Sequence, residues 1–256
     1  MTFGPDLTAC AALVERADPD RFRAVMAAPV AARRALFPIY ALNVEVSRAP
    51  WVTAEPMIAE MRLQWWRDAL GEIAEGKPVR RHEVVSPLSE ALSPDLARAL
   101  DGAVAMRRWD IYRDPFEDDA HFAGYIDATS GSLVWAAARS LGAADETVVR
   151  DAGYALGIAN WLLAVPELEA RGRVPLVDGT PDGVRALAQG ALDRLIRARA
   201  RRHRVSADAA PAMLAVAAAD RILTRAIADP SQVAQGALAA PRNGVRLMLR
   251  AATRRW

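Results

Sequence analysis

Helix-start and helix-stop residues recur along this whole chain, and no stretch alternates apolar and polar residues long enough to make a strand. Asp20 is placed to cap a short helix, Arg21 to Ala27. Pro29 suits the first turn of the next, which runs towards Arg48, kinks at Pro38 and stops before Pro50. Thr53 is placed to cap a helix with Pro56 in its first turn, ended by Gly76 and Pro78. Ser86-Pro87 and Ser93-Pro94 are successive cap pairs, the second opening a helix to about Tyr112. A helix over 119–141 closes at Gly142, and Asp145 starts another that Pro166 ends after Val165. Residues 171–183 read as the main loop, with three more helices near 183–204, 206–228 and 242–255. With no internal repeat and no linker-like stretch, the expectation is an all-α fold of about ten helices in one domain spanning 1–256.

The chain has 256 residues, 52% of them hydrophobic and 25% charged, enough apolar material for a sizeable core. Cys10 is the only cysteine, which excludes an intrachain disulfide. Asp6, Glu15 and Arg16 interrupt any leader-like apolar run, and no apolar stretch approaches the ~18 residues of a membrane span. A cytoplasmic protein, at most peripheral to the inner membrane, is expected. Charge is divided unevenly: residues 183–256 hold 14 arginines against 4 carboxylates, a balance of +10, and the rest of the chain carries −8. Arg242, Arg246, Arg250 and Arg254 recur at i,i+4 spacing, and Arg194, Arg197, Arg201 and Arg204 repeat the pattern earlier. The first stripe is a candidate surface for anionic lipid or an acidic partner. No aromatic interleaving accompanies the arginines, so nucleic acid is not expected as a partner.

His82, His121 and His203 are far apart and have no metal-ligand spacing. Phosphate-binding glycine loops and a nucleophile elbow are absent. Glu117, Asp118 and Asp119 suit a helix start, where they cap and meet the helix dipole. Ser130-Gly131-Ser132 reads as a small-residue contact between closely approaching helices. In EMRLQWWRDAL, Glu60 to Leu70, the adjacent Trp65 and Trp66 point about 100° apart. One is expected to face the core and the other a neighbouring helix or a cavity. Glu60 and Gln64 share a face, but one carboxylate is a poor magnesium cage.

In order, RRALFPIYALNVEVSRAP (Arg33 to Pro50), EMRLQWWRDAL, SGSLVWAAARSLG (Ser130 to Gly142) in the Tyr125 helix, and GIANWLLAVPELEARGRVPL (Gly157 to Leu176) resemble the squalene/phytoene synthase-like family. The match is best over 30–180; the Arg-rich part, 183–256, matches only as generic helices. The resemblance implies an isoprenoid-synthase-like helical bundle around a central cavity. It also implies two Asp-rich motifs that hold magnesium and diphosphate. Laid on the first segment from Tyr40, the aspartate positions fall on Ser47 and Arg48, and one turn on, on Trp51. Before Gly172-Arg173, the stretch AVPELEARGR reads as shortened, with no aspartate at the second motif's spacing. Both halves of the metal clamp are therefore expected to be lost, leaving nothing to neutralise a departing diphosphate.

RLQWWRD and the short proline-containing stretch before ARGR resemble a divergent branch. That branch includes the mitochondrial assembly factor for respiratory complex I and bacterial squalene/phytoene synthase-like proteins. The reading is a catalytically degenerate, pseudoenzyme-like binding protein or respiratory-complex assembly factor, peripheral to a membrane and without cofactor. Its alternatives are an active prenyl diphosphate transferase using Mg²⁺ and a prenyl-lipid carrier. By position in the matched segments, the ligand-cavity candidates are Tyr40, Asn43, Ser47, Arg48, Gln64, Trp65, Asn160 and Arg173.

Overall fold

The computed structural model describes residues 3–239 and 244–256. Its elements are α1 (Pro5–Ala17), α2 (Pro19–Ala27), α3 (Arg33–Arg48), α4 (Pro56–Ala74), α5 (Val85–Ala91), α6 (Pro94–Met106) and α7 (Trp109–Tyr112). They continue as α8 (Asp119–Ile126), a π-helical turn (Asp127–Gly131), α9 (Ser132–Arg139), α10 (Glu146–Ala170) and α11 (Pro181–Ala200). Last come α12 (Ala219–Ala228), α13 (Ser231–Ala234) and α14 (Gly244–Thr253), with short 3₁₀ turns between several helices. No strand forms among the described residues; Ala144 and Val205 make an isolated bridge. The fold is all-α.

Two helices are apolar nearly all round, and this puts them at the centre. In α3, Leu36–Leu42, Val44 and Val46 are buried. In α10, Val148, Val149, Ala152–Ala159, Leu162 and Val165 are buried. Around them α1 packs on α3, α4 on α6, and α10 on α9, α11 and the π turn. One buried apolar cluster runs from Leu7 to Trp256.

Several boundaries differ from expectation for local reasons. The α2 cap is Asp18, whose carboxylate accepts from Arg21 N at 3.0 Å, so the helix begins before Asp20. Glu55 stands at the start of α4; Thr53 Oγ1 instead accepts from the Glu55 amide in the preceding turn. Ser86 and Pro87 fall inside the first turn of α5. The helix opened by Ser93-Pro94 breaks after Met106, and Trp109–Tyr112 forms its own turn.

Pro166 does not end α10. The helix runs to Ala170 and stops at Gly172, which sits at φ +75. There Gly172 N donates to Glu169 O at 2.8 Å and Arg173 N to Leu168 O at 3.0 Å, the paired bonds of a Schellman end. Pro166 removes one donor, and the packing of α10 holds the helix through that gap.

The region 119–141 is one continuous helical path with a π turn in its middle. That turn meets α10 at two glycines. Ser130 Oγ donates to Gly153 O at 2.7 Å, and a methyl on Gly153 would stand 3.0 Å from Gly131 Cα. The close approach expected at Ser130-Gly131-Ser132 is present.

Candidate functional site

The matched segments meet around a cavity of about 250 Å³. Helix α3 contributes Asn43 and Ser47, with Trp51 just past its end. Along α10 come Gly157, Asn160, Trp161, Ala164 and Leu168, one face at helical spacing. Tyr125, Thr129 and Ser130 enter from α8 and the π turn, Arg107 and Asp110 from the α6–α7 junction, and Arg21 from α2. A larger groove, about 580 Å³, shares none of these residues. Alanines and prolines make up much of its wall, so convergent chemistry lies in the smaller cavity.

Polar groups converge on Asp110. The Tyr125 hydroxyl donates to Asp110 Oδ2 at 2.8 Å and accepts from Arg107 Nη1 at 2.7 Å. Arg107 Nη1 also reaches Asp110 Oδ2 at 3.2 Å. Arg173 Nη1 donates to the Asp110 carbonyl at 2.9 Å and lies 3.6 Å from its carboxylate. Burial pushes the Tyr125 phenol far above its ordinary range, so it stays protonated and works as a donor. Arg173 stacks over Trp109 at 4.6 Å and also faces Trp51, at 5.8 Å. Its Nη2 is buried without a partner among the described residues.

The cavity candidates do not all meet. Asn43, Ser47 and Asn160 line the cavity. Ser47 Oγ is turned back onto Val44 O at 3.1 Å. Tyr40 is buried outside the lining, with the Arg21 guanidinium 5.6 Å from its ring, its hydroxyl unpartnered among the described residues and pushed by burial to about 12. Arg173 stands behind Asp110 rather than in the lining. Arg48 is exposed and points away, because successive helical residues diverge by about 100° and Ser47 takes the inward direction. Gln64 is exposed on α4 and donates to Asp68 at 2.7 Å. Trp65 and Trp66 are outside the lining too. Their rings meet edge-on at 4.9 Å, and both pack on His82, at 5.1 and 5.3 Å. The Arg80 guanidinium covers Trp65 at 4.9 Å and pairs with Glu72 at 2.7 Å. The pair thus clamps the segment after α4 rather than closing the cavity.

Arg107, Asp110 and Trp161 were not among the candidates. Trp161 stood inside a matched segment next to Asn160; the one signal for Arg107 and Asp110 is Asp110 itself, a carboxylate between Trp109 and Ile111 in an aromatic stretch.

Magnesium, which the fold family implies, finds no fitting donors here. The cavity faces of α3 and α10 carry serine, asparagine, tryptophan, alanine and leucine, and no carboxylate. The lining's one carboxylate, Asp110, is engaged by Tyr125, Arg107 and Arg173. Among the described residues no three His, Cys, Asp or Glu side chains come together as a metal site.

The arginine stripe of α14 also differs from expectation. Arg246 and Arg250 turn inward onto Asp220 Oδ2, at 3.2 and 2.9 Å, beside Arg199 at 3.1 Å. A half-buried carboxylate at the start of α12 draws them in. Arg254 is exposed past the helix end, and Arg242 lies outside the described residues. No helix among the described residues is long and apolar enough to cross a membrane.

The backbone resembles a ligand-bound dehydrosqualene synthase, with TM-score 0.76 and 16% identity over 97% of this chain and 95% of that one. A squalene synthase from Alicyclobacillus acidocaldarius gives TM-score 0.67 and 17% identity over 89% and 94%. In sequence, the chain is 29% identical over 199 residues to the Drosophila melanogaster protein named NADH dehydrogenase (ubiquinone) complex I, assembly factor 6 homolog. That match takes in 74% of this chain and spans 58% of the fly protein. The family model described as squalene/phytoene synthase matches residues 14–177, which bring α3, the π turn and α10 to the cavity. On these grounds the chain belongs to the squalene/phytoene synthase family.

Proposed function

We propose that this chain is a non-catalytic member of the family, acting as a binding factor in respiratory-complex assembly at an anionic membrane surface. One observation carries the reading: the α3 and α10 faces that meet at the cavity hold no carboxylate. Ionising a prenyl diphosphate needs developing charge neutralised at the leaving group. Here Asp110 is already balanced by two arginines and a tyrosine. The likeness to the fly assembly-factor homolog supports the assembly part.

Cavity size favours this reading over a lipid carrier. About 250 Å³ is below the ~300–1,000 Å³ of ordinary small-molecule sites, and a long prenyl chain needs more.

Two measurements test it. Deleting the gene is expected to lower the amount of assembled NADH:quinone oxidoreductase, and a normal amount would count against the assembly role. Purified protein with magnesium and farnesyl or geranylgeranyl diphosphate is expected to release no diphosphate. Robust release would restore the transferase reading.

A further inference from the structure

Helix α14 carries two apolar sides, one against the core and one in solvent. A surface helix normally turns its apolar stripe inward and its charges to water. Here Arg250 points in, onto Asp220, and also donates to Ala217 O at 2.7 Å, while Arg246 reaches the same carboxylate with its side chain 42% exposed. Outward stand Val245, Met248 and Leu249, exposed by 72%, 62% and 61%. They fall at i, i+3 and i+4, one stripe about 100° wide. Leu247 and Ala251, on another side of the helix, make the contact with the core.

The stretch of chain that carries the stripe is basic. Arg254 and Arg255 are exposed just past the helix end. Through Asp220 the helix is tied to Arg199, and on the same stretch of chain Arg197, Arg201 and Arg202 are exposed. Residues 183–256 carry +10 overall.

We propose that α14 docks this protein on an anionic lipid surface. Val245, Met248 and Leu249 enter the headgroup region, and Arg254 and Arg255 at the helix end meet the anionic headgroups. Size separates this occupant from a second copy of the chain. A face about 15 Å long on a helix about 10 Å across is on the order of 150 Å². A stable protein complex buries ~800 Å² on each partner. Interfacial helices need only a few apolar side chains where basic charge adds attraction to the bilayer. The Asp220 cluster presents the stripe, since pinning the arginines inward leaves the apolar residues pointing out.

This inference rests on the proposed membrane setting but is read on purified protein, apart from complex assembly. The full chain is sedimented with vesicles of phosphatidylcholine alone and of phosphatidylcholine with phosphatidylglycerol. Binding is expected only to the anionic vesicles and should weaken as salt is raised towards ~1 M. Met248→Ser with Leu249→Ser is expected to lower partitioning at least about tenfold. Both side chains are exposed, so the melting temperature should hold. Leu249→Cys gives an independent readout. Cys10 is buried and its thiol is pushed by burial to about 12, so a polarity-sensitive dye couples at position 249 alone. Its emission is expected to shift to the blue on anionic vesicles. Equal sedimentation of the double serine variant, or an unshifted dye, would overturn the proposal. So would a wild-type dimer that these substitutions dissociate, with no vesicle binding. Normal complex assembly in a deletion strain would sink the assembly role and leave this result standing.

Discussion

Gly157→Ala is the sharpest probe of how the cavity wall is built. A methyl on Gly157 would stand 2.6 Å from Ile126 Cγ2, 2.8 Å from Ser130 Cβ and 3.1 Å from Ser130 Oγ. Comfortable carbon contacts are ~3.5–4.0 Å, so the overlap is about 1 Å. Ile126 is stiff because it branches at Cβ. Ser130 cannot swing aside without giving up its 2.7 Å bond to Gly153 O. Overpacking of this kind costs about 1–3 kcal/mol, and the lost bond adds about 1 kcal/mol. Alanine's better helix propensity offsets about 1 kcal/mol. The net is a loss of about 2 kcal/mol, or roughly 4–8 °C in melting temperature for a chain of this size. Gly71→Ala in α4 and Gly102→Ala in α6 are the controls, because a methyl there meets nothing within 4 Å. They should stabilise by ~0.4–1 kcal/mol. Melts followed by far-ultraviolet circular dichroism read all three. If Gly157→Ala melts at or above the wild type, the helices do not approach as closely as described and the reasoning fails.

Asp220→Asn removes the carboxylate shared by Arg199, Arg246 and Arg250, and is expected to destabilise by about 2–3 kcal/mol, since breaking a partly buried pair strands its cations. In the wild type, burial pushes the Asp220 carboxyl up, but Arg199 and Arg250 outweigh it and hold the group below its ordinary value. With the folded value depressed, its contribution is complete above the unfolded value near ~4 and is lost as pH falls through the folded one. The gap between wild type and Asp220→Asn in acid titrations should therefore close below about pH 4, and a gap unchanged at low pH would refute the pairing. Cys10, buried with its thiol raised to about 12 by burial first and by Glu83 and Asp6 after it, should resist thiol reagents at pH 8 in the folded protein and react once unfolded. Prompt reaction of the native chain would mean that α1 is not packed as described.

The fold was largely legible, because helices carry their own start and stop signals and most of those here are local. What escaped were ends decided by packing. Pro166 looked like a stop, but a proline removes only one donor, and the end of α10 is made by the positive φ of Gly172. Glu117–Asp119 read correctly as a helix start: Asp118 accepts from His121 N at 2.7 Å. The candidate site was half legible. Asn43, Ser47 and Asn160 came from position within matched segments and line the cavity. Arg107 and Asp110 lie within the family match but between the motifs that carry the resemblance, and their meeting with Tyr125 and Arg173 is a contact across the fold that spacing cannot reveal. The arginine stripe was visible as a period, but its direction depended on Asp220, a single carboxylate more than twenty residues away.

The charge balance at the cavity wall bears on the proposed non-catalytic reading. Converging carboxylates in a buried wall repel one another, and either a bound cation or a proton must relieve them. Here one carboxylate faces two guanidiniums and a protonated phenol, all within hydrogen-bond or ion-pair reach. Neutralisation is internal and joins α7, α8 and the segment just past α10. The same arrangement sets what can enter. A divalent cation brought to this wall meets two fixed positive charges for one negative, and its Coulomb term is unfavourable before dehydration is counted. An anion meets the opposite balance. The buried Nη2 of Arg173, unpartnered among the described residues, leaves part of the positive side of this network unused by those residues.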